Sequence, residues 1–323
     1  MHNHEQDAHV ASGPGPEHGM PNLRWQTDQL LSLGDVAFDL NYTAEGLGMD
    51  STSRCFVLQK SRAMVEWYAQ SFAGRPGGNV LEIGIFKGGS VVLLDRLLQP
   101  RKMVAIEISK EPVAALDDYI AQERAHARLK PLFGVDQADA ATLRRIIVEE
   151  FGDETIDIAI DDGCHLLRES RTSFDAIFPH VRPGGTYVIE DWGWAHWSHS
   201  HWQQGGGPWK DQPATTQLIF ELVMLSASRP DIVESVMARS DLVAVVRGSA
   251  AVPSDFRLAD AYLTAGRRFG ELGLGGPDAP RRANSRRRLI QRALDVLRSQ
   301  GPRGLARRSW SWAKDRLRPH GSN

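Results

Sequence analysis

From Val80 to Glu190, short apolar runs alternate with longer stretches of helical period, and this alternation constrains the fold more than any other feature. The runs are 80–85 (VLEIGI), 103–107 (MVAIE), 129–133 (LKPLF), 156–160 (IDIAI) and 186–190 (TYVIE). Helices are expected between them near 89–98, 111–126, 138–151 and 166–178. Strands that alternate with helices of this length form βαβ units, so a doubly wound α/β sheet is expected. Runs as apolar as IDIAI suit strands covered on both faces. A helix near 214–228 and two more runs, 232–238 and 242–247 (LVAVVR), complete a Rossmann-like, mostly parallel sheet of seven strands within 80–250.

The flanks read differently. Phe56, Val57, Lys60, Met64, Trp67 and Tyr68 recur at roughly helical spacing across 54–73, and Arg75-Pro76-Gly77-Gly78 ends that pattern. Residues 22–79 are therefore expected to be an N-terminal helical cap. Residues 1–21 hold His2, His4, His9 and His18 among Gly, Pro and Ser, and are expected to be a disordered leader. After a linker over 251–280, the stretch from Arg281 to Arg318 has 13 Arg or Lys against Asp295 and Asp315. Its charge of +11 leaves −13 on the other residues, because the whole chain carries −2. Leu289, Ile290, Ala293, Leu294 and Leu297 form one apolar stripe among the arginines, so 281–323 is expected to be a basic amphipathic helical tail. It can pack on the acidic body, within one chain or across a dimer, or lie on an anionic membrane through 281–318. Without a recognised binding fold, the arginines give no reason to expect nucleic acid. No apolar run approaches the ~20 residues of a membrane span. The N-terminal stretch does not resemble a signal peptide, and two cysteines, Cys55 and Cys164, make no disulfide framework. A cytoplasmic protein is expected, peripheral to the membrane at most.

In open α/β sheets, ligands sit beyond the carboxyl ends of the strands, so the residues after each strand carry the functional argument. The first strand runs into Glu82-Ile-Gly84-Ile-Phe-Lys-Gly88-Gly89-Ser90. Glycines let a ligand approach the backbone, and the next helix offers free N–H groups. Phe86 stands where a dinucleotide fingerprint needs its second glycine. The pattern E-x-G-x-x-x-G, with Glu82, Gly84, Gly88 and Ser90, instead resembles the S-adenosylmethionine (SAM) loop of class I methyltransferases. Glu107 ends the second strand, where an acid can accept hydrogen bonds from both hydroxyls of an adenosine ribose. Asp136 and Gln137 follow the third strand and are candidates for the adenine edge. A bland alternative exists for each, a tight strand-to-helix turn or a solvated acid, but the ordered set favours a SAM site.

Asp161-Asp162 follow the fourth strand and Glu190-Asp191 the fifth. In a class I methyltransferase sheet those strands are neighbours, so up to four carboxylates converge. Such a cluster repels itself strongly, and a hard divalent ion, Mg²⁺ or Mn²⁺, relieves it. The segments IDDGCH and SFDAIFPHVRPGGTYVIEDW resemble the macrolide-sugar O-methyltransferase family, of the macrocin and mycinamicin type and related to a cephalosporin 7-methoxylation protein. The likeness covers roughly residues 55–195. It implies SAM- and Mg²⁺-dependent methyl transfer to a sugar hydroxyl, and association into a homo-oligomer. By motif, Asp162, Glu190 and Asp191 match the metal ligands, His165 matches the general base, and Asp161 would face the methionine end of SAM. Cys164 replaces the serine common in that family.

Beyond Asp191 the sequence becomes rich in Trp and His over 192–212. Trp192, Trp194, Trp197 and His196 are expected in an acceptor lid, since aromatic faces stack on sugar rings. A packed aromatic loop is the plain alternative. The acceptor expected is a small or lipid-linked glycoside. A catechol or polyketide hydroxyl, or a non-catalytic SAM-binding accessory subunit, are the competing readings.

Overall fold

The computed structural model describes residues 23–40, 48–72, 78–198, 209 and 212–264. The expected leader over 1–21, the tail over 281–323, most of the linker and most of the lid between 199 and 211 lie outside the described residues.

Seven strands form the main sheet: β5 (Asn79–Ile83), β6 (Lys102–Glu107), β7 (Leu129–Phe133), β8 (Ile156–Asp161), β9 (Val181–Glu190), β10 (Val233–Ala238) and β11 (Leu242–Arg247). Their order is β10-β11-β9-β8-β5-β6-β7. All pairs are parallel except those made by β11, which runs antiparallel to both β9 and β10. The order reverses beside β5, with β6 on one side and β8 on the other, and a doubly wound sheet opens its ligand cleft there. This is the class I methyltransferase architecture that the sequence leads one to expect.

Two apolar cores form because side chains alternate across a strand. In β6, Met103 and Ala105 face one core while Val104 and Ile106 face the other. The first core also takes α2 (Gly89–Leu98) and α3 (Ala114–Gln122). The second takes α4 (Ala140–Phe151), α5 (Leu167–Ile177) and α6 (Thr216–Ser228). A single helical turn, α7 (Leu258–Ala261), follows β11.

The N-terminal segment departs from the expected helical cap. Residues 23–57 form a second, four-stranded sheet, β1 (Leu23–Trp25), β2 (Leu30–Leu33), β3 (Val36–Asp39) and β4 (Cys55–Val57), and the helix α1 covers only Arg62–Phe72. Local chemistry explains this. Leu33 pairs with Val36 across the two-residue loop Gly34-Asp35, with Gly34 at φ 66°. A glycine takes that left-handed conformation without a Cβ penalty, and the loop fixes the hairpin register. Leu31, Leu33, Phe38 and Phe56 then enter the first core beside α2 and α3. β4 pairs parallel to β3, which turns 55–57 from helix to strand.

Gly84 leaves β5 at φ 98°, and a Cβ there would run into the carbonyl oxygen of Asp162. The backbones of the first and fourth strand tips touch at this point, which fixes Asp162 relative to the loop. Gly84→Ala should therefore lose more than about 2 kcal/mol of stability, read as a fall in urea midpoint at unchanged slope. A midpoint within error of the parent would show that this contact yields freely.

Candidate active site

β8 and β9 are parallel neighbours, with Asp161 in register with Ile189. Their tips thus deliver Asp162 and Glu190-Asp191 to one place, as the sequence implies. The residue that meets them was missed. Lys60, between β4 and α1, donates from Nζ to Asp162 Oδ2 at 2.9 Å and to Glu190 Oε1 and Oε2 at 2.8 and 2.7 Å. Tyr68 of α1 adds its hydroxyl to Glu190 Oε1 at 2.5 Å. Lys60 and Glu190 are each 1% exposed. Burial alone would lower the Lys60 pKa, but Asp162 and Glu190 outweigh it and hold the ammonium well above its ordinary value.

The acids are pushed the other way. Burial, then repulsion from Asp162, raises Glu190 to about 7 against the pull of Lys60. Glu82 on β5 is fully buried, neither oxygen has a partner in hydrogen-bond geometry, and burial raises it to about 8. Burial also raises Asp162 and Asp191. Burial thus opposes ionisation of these carboxyls, and the Lys60 ammonium favours it.

Asp162, His165 and Asp191 each present one ligand atom, all within 4.8 Å of one another. His165 Nε2 lies 3.9 Å from Asp191 Oδ2. Oxygen-rich donor sets of this kind suit a hard divalent ion, and a single imidazole does not change that preference. His165 and Asp191 both have left-handed backbones, at φ 59° and 50°. Such strain costs about 1–3 kcal/mol per residue and persists where surrounding bonds impose it. Here the His165 carbonyl accepts from Trp194 Nε1 at 2.9 Å and Thr215 Oγ1 at 2.6 Å, and the Asp191 N–H donates to the Asp241 carbonyl at 2.8 Å.

In its described part the aromatic loop is tied to the rest of the site by hydrogen bonds. Trp194 is buried against the His165 backbone, Trp209 Nε1 donates to the Cys164 carbonyl at 3.3 Å, and Trp192 Nε1 to the Arg239 carbonyl at 2.8 Å. His196 Nε2 meets Thr216 Oγ1 at 2.5 Å. The Trp197 indole nitrogen approaches Gly193.

A cleft of about 960 Å³ opens at the switch point, walled by Gly84, Phe86, Glu107, Ile108, Asp136 and Asp162 among others. Glu107 Oε2 accepts the N–H groups of Ile85 and Phe86 at 3.0 Å each, and Oε1 that of Ser109 at 2.9 Å. Asp136 accepts from the Ala138 N–H at 2.8 Å. Of the expected cofactor contacts, Gln137 lines the cleft and Asp161 does not. Asp161 points into a buried network, accepting from Gln137 Nε2 at 3.1 Å and Ser173 Oγ at 2.6 Å, with Tyr187 Oη 3.4 Å away. Gln137 spends its other end on the Cys164 N–H at 2.8 Å. Asp161 therefore faces the core, because its own side chain and that of Asp162 leave the strand on opposite sides. Gly88 opens α2 at φ 83°, and Ser90 is buried in that helix near Glu82.

Glu82 generates a pH prediction. Its carboxyl keeps a proton in the fold up to about 8 but loses it near 4.5 when unfolded. The native state then binds the extra proton, so stability falls as pH rises between those values, by at most about 1.4 kcal/mol per pH unit. Glu82→Gln should flatten that slope between pH 5 and 8 in thermal melts. An unchanged slope would place the protonation elsewhere.

Residues 81–192 match the Methyltransf_24 family model, described as a methyltransferase domain. Over 70 residues the chain is 53% identical to mycinamicin VI 2''-O-methyltransferase of Micromonospora griseorubida, covering 22% of this chain and 16% of that protein. Over 79 residues it is 46% identical to demethylmacrocin O-methyltransferase of Streptomyces fradiae, covering 24% and 19%. The match thus spans less than a fifth of the length of these two relatives. Among solved structures, the MycE methyltransferase from the mycinamycin biosynthetic pathway, in complex with Mg, SAH and mycinamycin VI, aligns at 26% identity and a TM-score of 0.44, covering 58% of this chain and 51% of that one. Residues 81–192 are thus similar to a methyltransferase domain, and the relatives this part of the chain resembles are O-methyltransferases of the macrocin and mycinamicin type.

Proposed function

We propose that this chain is a SAM- and Mg²⁺-dependent O-methyltransferase that acts on a hydroxyl of a sugar, in a glycosylated natural product or glycolipid. The observation that carries this is the double position of Asp162. It lies on the wall of the switch-point cleft and also belongs to the cluster with His165 and Asp191. A cofactor in the cleft and an acceptor at the cluster would therefore share an edge, as an in-line displacement at a methyl group requires.

The residues fit both groups. The cleft is of cofactor size, and Glu107 stands at the strand tip with carboxylate oxygens already accepting three N–H groups. The oxygens of Asp162 and Asp191 are those a hard cation takes. When bound, SAM supplies the electrophilic methyl group, and the divalent ion polarises and orients neighbouring hydroxyls of the acceptor. The chain's own residues do the rest. Glu107 orients the ribose, and the Gly84 turn admits the cofactor close to the backbone. Asp162 and Asp191 would hold the ion, and Glu190, beside Asp191, matches the third ligand by motif alone. His165 Nε2 takes the acceptor's proton, for which a positioned base is worth about 10²–10⁴-fold. Relatives named for methylation of olivosyl-oleandolide and of a rhamnosyl tetracenomycin support a sugar-bearing acceptor over a simple catechol. A non-catalytic accessory subunit would have no use for His165 and Asp191 in strained conformations beside the carboxylates.

The test combines calorimetry with turnover on glycosides bearing vicinal hydroxyls. Asp191→Asn should weaken Mn²⁺ binding at least about tenfold while SAM affinity stays within about threefold. His165→Ala should lower kcat by about 10²-fold or more with Mn²⁺ still bound. Loss of Mn²⁺ in His165→Ala would make this residue a ligand instead of the base, and an unchanged kcat would remove it from the reaction. Absence of SAM binding to the parent protein would overturn the methyltransferase reading itself.

A further inference from the structure

We propose that Lys60 is a resident counter-cation that competes with the divalent ion for Asp162 and Glu190, and that metal loading releases its ammonium from these carboxylates. The inference rests on the metal-dependent reading above and goes beyond it by naming what the ion must displace.

The geometry carries the argument. Nζ is held by one oxygen of Asp162 and both oxygens of Glu190, all within 2.9 Å. Asp162 Oδ1 stays clear of Nζ, but both Glu190 oxygens are engaged, so an ion that drew on Glu190 would meet the ammonium there. Each carboxylate oxygen has lone pairs enough for both, but an ammonium and a divalent cation this close repel each other where little solvent screens them. The side chain is placed there by the fold. Lys60 leaves a segment anchored on one side by β4, where the Leu58 N–H donates to the Asp39 carbonyl at 2.9 Å, and on the other by α1. A small recess of about 30 Å³ borders it, lined by Lys60, Gly84, Phe86, Lys87, Ser90 and Asp162. Tyr68 keeps its hold on Glu190 Oε1 from α1 and preserves the orientation of that carboxylate when Lys60 withdraws.

Without Lys60 the three inward carboxyls, Glu82, Asp162 and Glu190, would face one another with no cation. Lys60 thus allows the site to fold before metal arrives, and it weakens metal binding by the work of its own removal. It is a positioning residue and touches neither substrate nor cofactor in this account.

The experiment compares Mn²⁺ binding to the full-length parent, Lys60→Met and Lys60→Arg by calorimetry and electron paramagnetic resonance, with thermal melts in EDTA and in excess Mn²⁺. Lys60→Met should bind Mn²⁺ at least about tenfold more tightly than the parent, as expected when an opposing charge a few ångströms away is removed. It should also melt lower in EDTA and gain more from Mn²⁺ than the parent does. Lys60→Arg, which keeps the charge, should show no such tightening. Tighter binding in Lys60→Met with none in the parent would equally support competition. Equal or weaker binding in Lys60→Met, with the parent binding normally, would overturn the proposal and leave the metal reading standing. Binding by none of the three would overturn both. Because Lys60→Met removes a buried cation and could fail to fold, the parent supplies a second readout. Its Lys60 ¹⁵Nζ resonance, identified by its loss in Lys60→Arg, should shift on saturation with Mg²⁺, and a resonance that stays fixed while Mg²⁺ binds would overturn the proposal.

Discussion

One buried ammonium organises the reaction end of this fold. Three strand tips converge at the switch point, each contributing an inward carboxyl: Glu82 from β5, Asp162 beyond β8 and Glu190 from β9. Burying ionised carboxyls together is prohibitive unless protons or cations offset them. Lys60 provides one positive charge, the raised pKa values of Glu82 and Glu190 keep protons nearby, and Tyr68 donates one more hydrogen bond. Breaking a buried pair of this kind from one side is typically far costlier than its net contribution, because the other side is left uncompensated.

Around that charge balance the backbone is held under strain. Phe86, His165 and Asp191 all have left-handed φ values, and each sits where a strand tip turns toward the cleft or the cluster. Each is restrained by a hydrogen bond from a distant element. Glu107 takes the Phe86 N–H, Trp194 and Thr215 donate to the His165 carbonyl, and Asp241 accepts from Asp191. Rigid preorganisation matters for methyl transfer, where a small misalignment of donor and acceptor costs much of the rate.

The main sheet was legible because its strands are apolar runs of the right length, separated by helices with clear period. The strand tips were legible for the same reason, since topology alone says which residues emerge together. The small N-terminal sheet was not read, although the signal existed. Leu33-Gly34-Asp35-Val36 is a two-residue hairpin loop flanked by alternating apolar residues, and the helical spacing further on concealed it. The inward turn of Asp161 and the alliance of Gln137 with it follow from side-chain parity along β8, which adjacent acids obscure. Lys60 had no local signature at all. It lies 102 residues from Asp162 and 130 from Glu190, so its role exists only once the chain is folded.

The source of Lys60 has a consequence for modularity. The family match begins at residue 81, after the small sheet and α1 have ended. The cation and the tyrosine that hold Glu190 both come from the chain before that boundary. The half of the site that lies within the family match is therefore electrically incomplete on its own. Exchanging the N-terminal segment for one without a cation at this place would strip the carboxylates of their counter-charge, so the two segments are tied to each other by charge and not by packing alone.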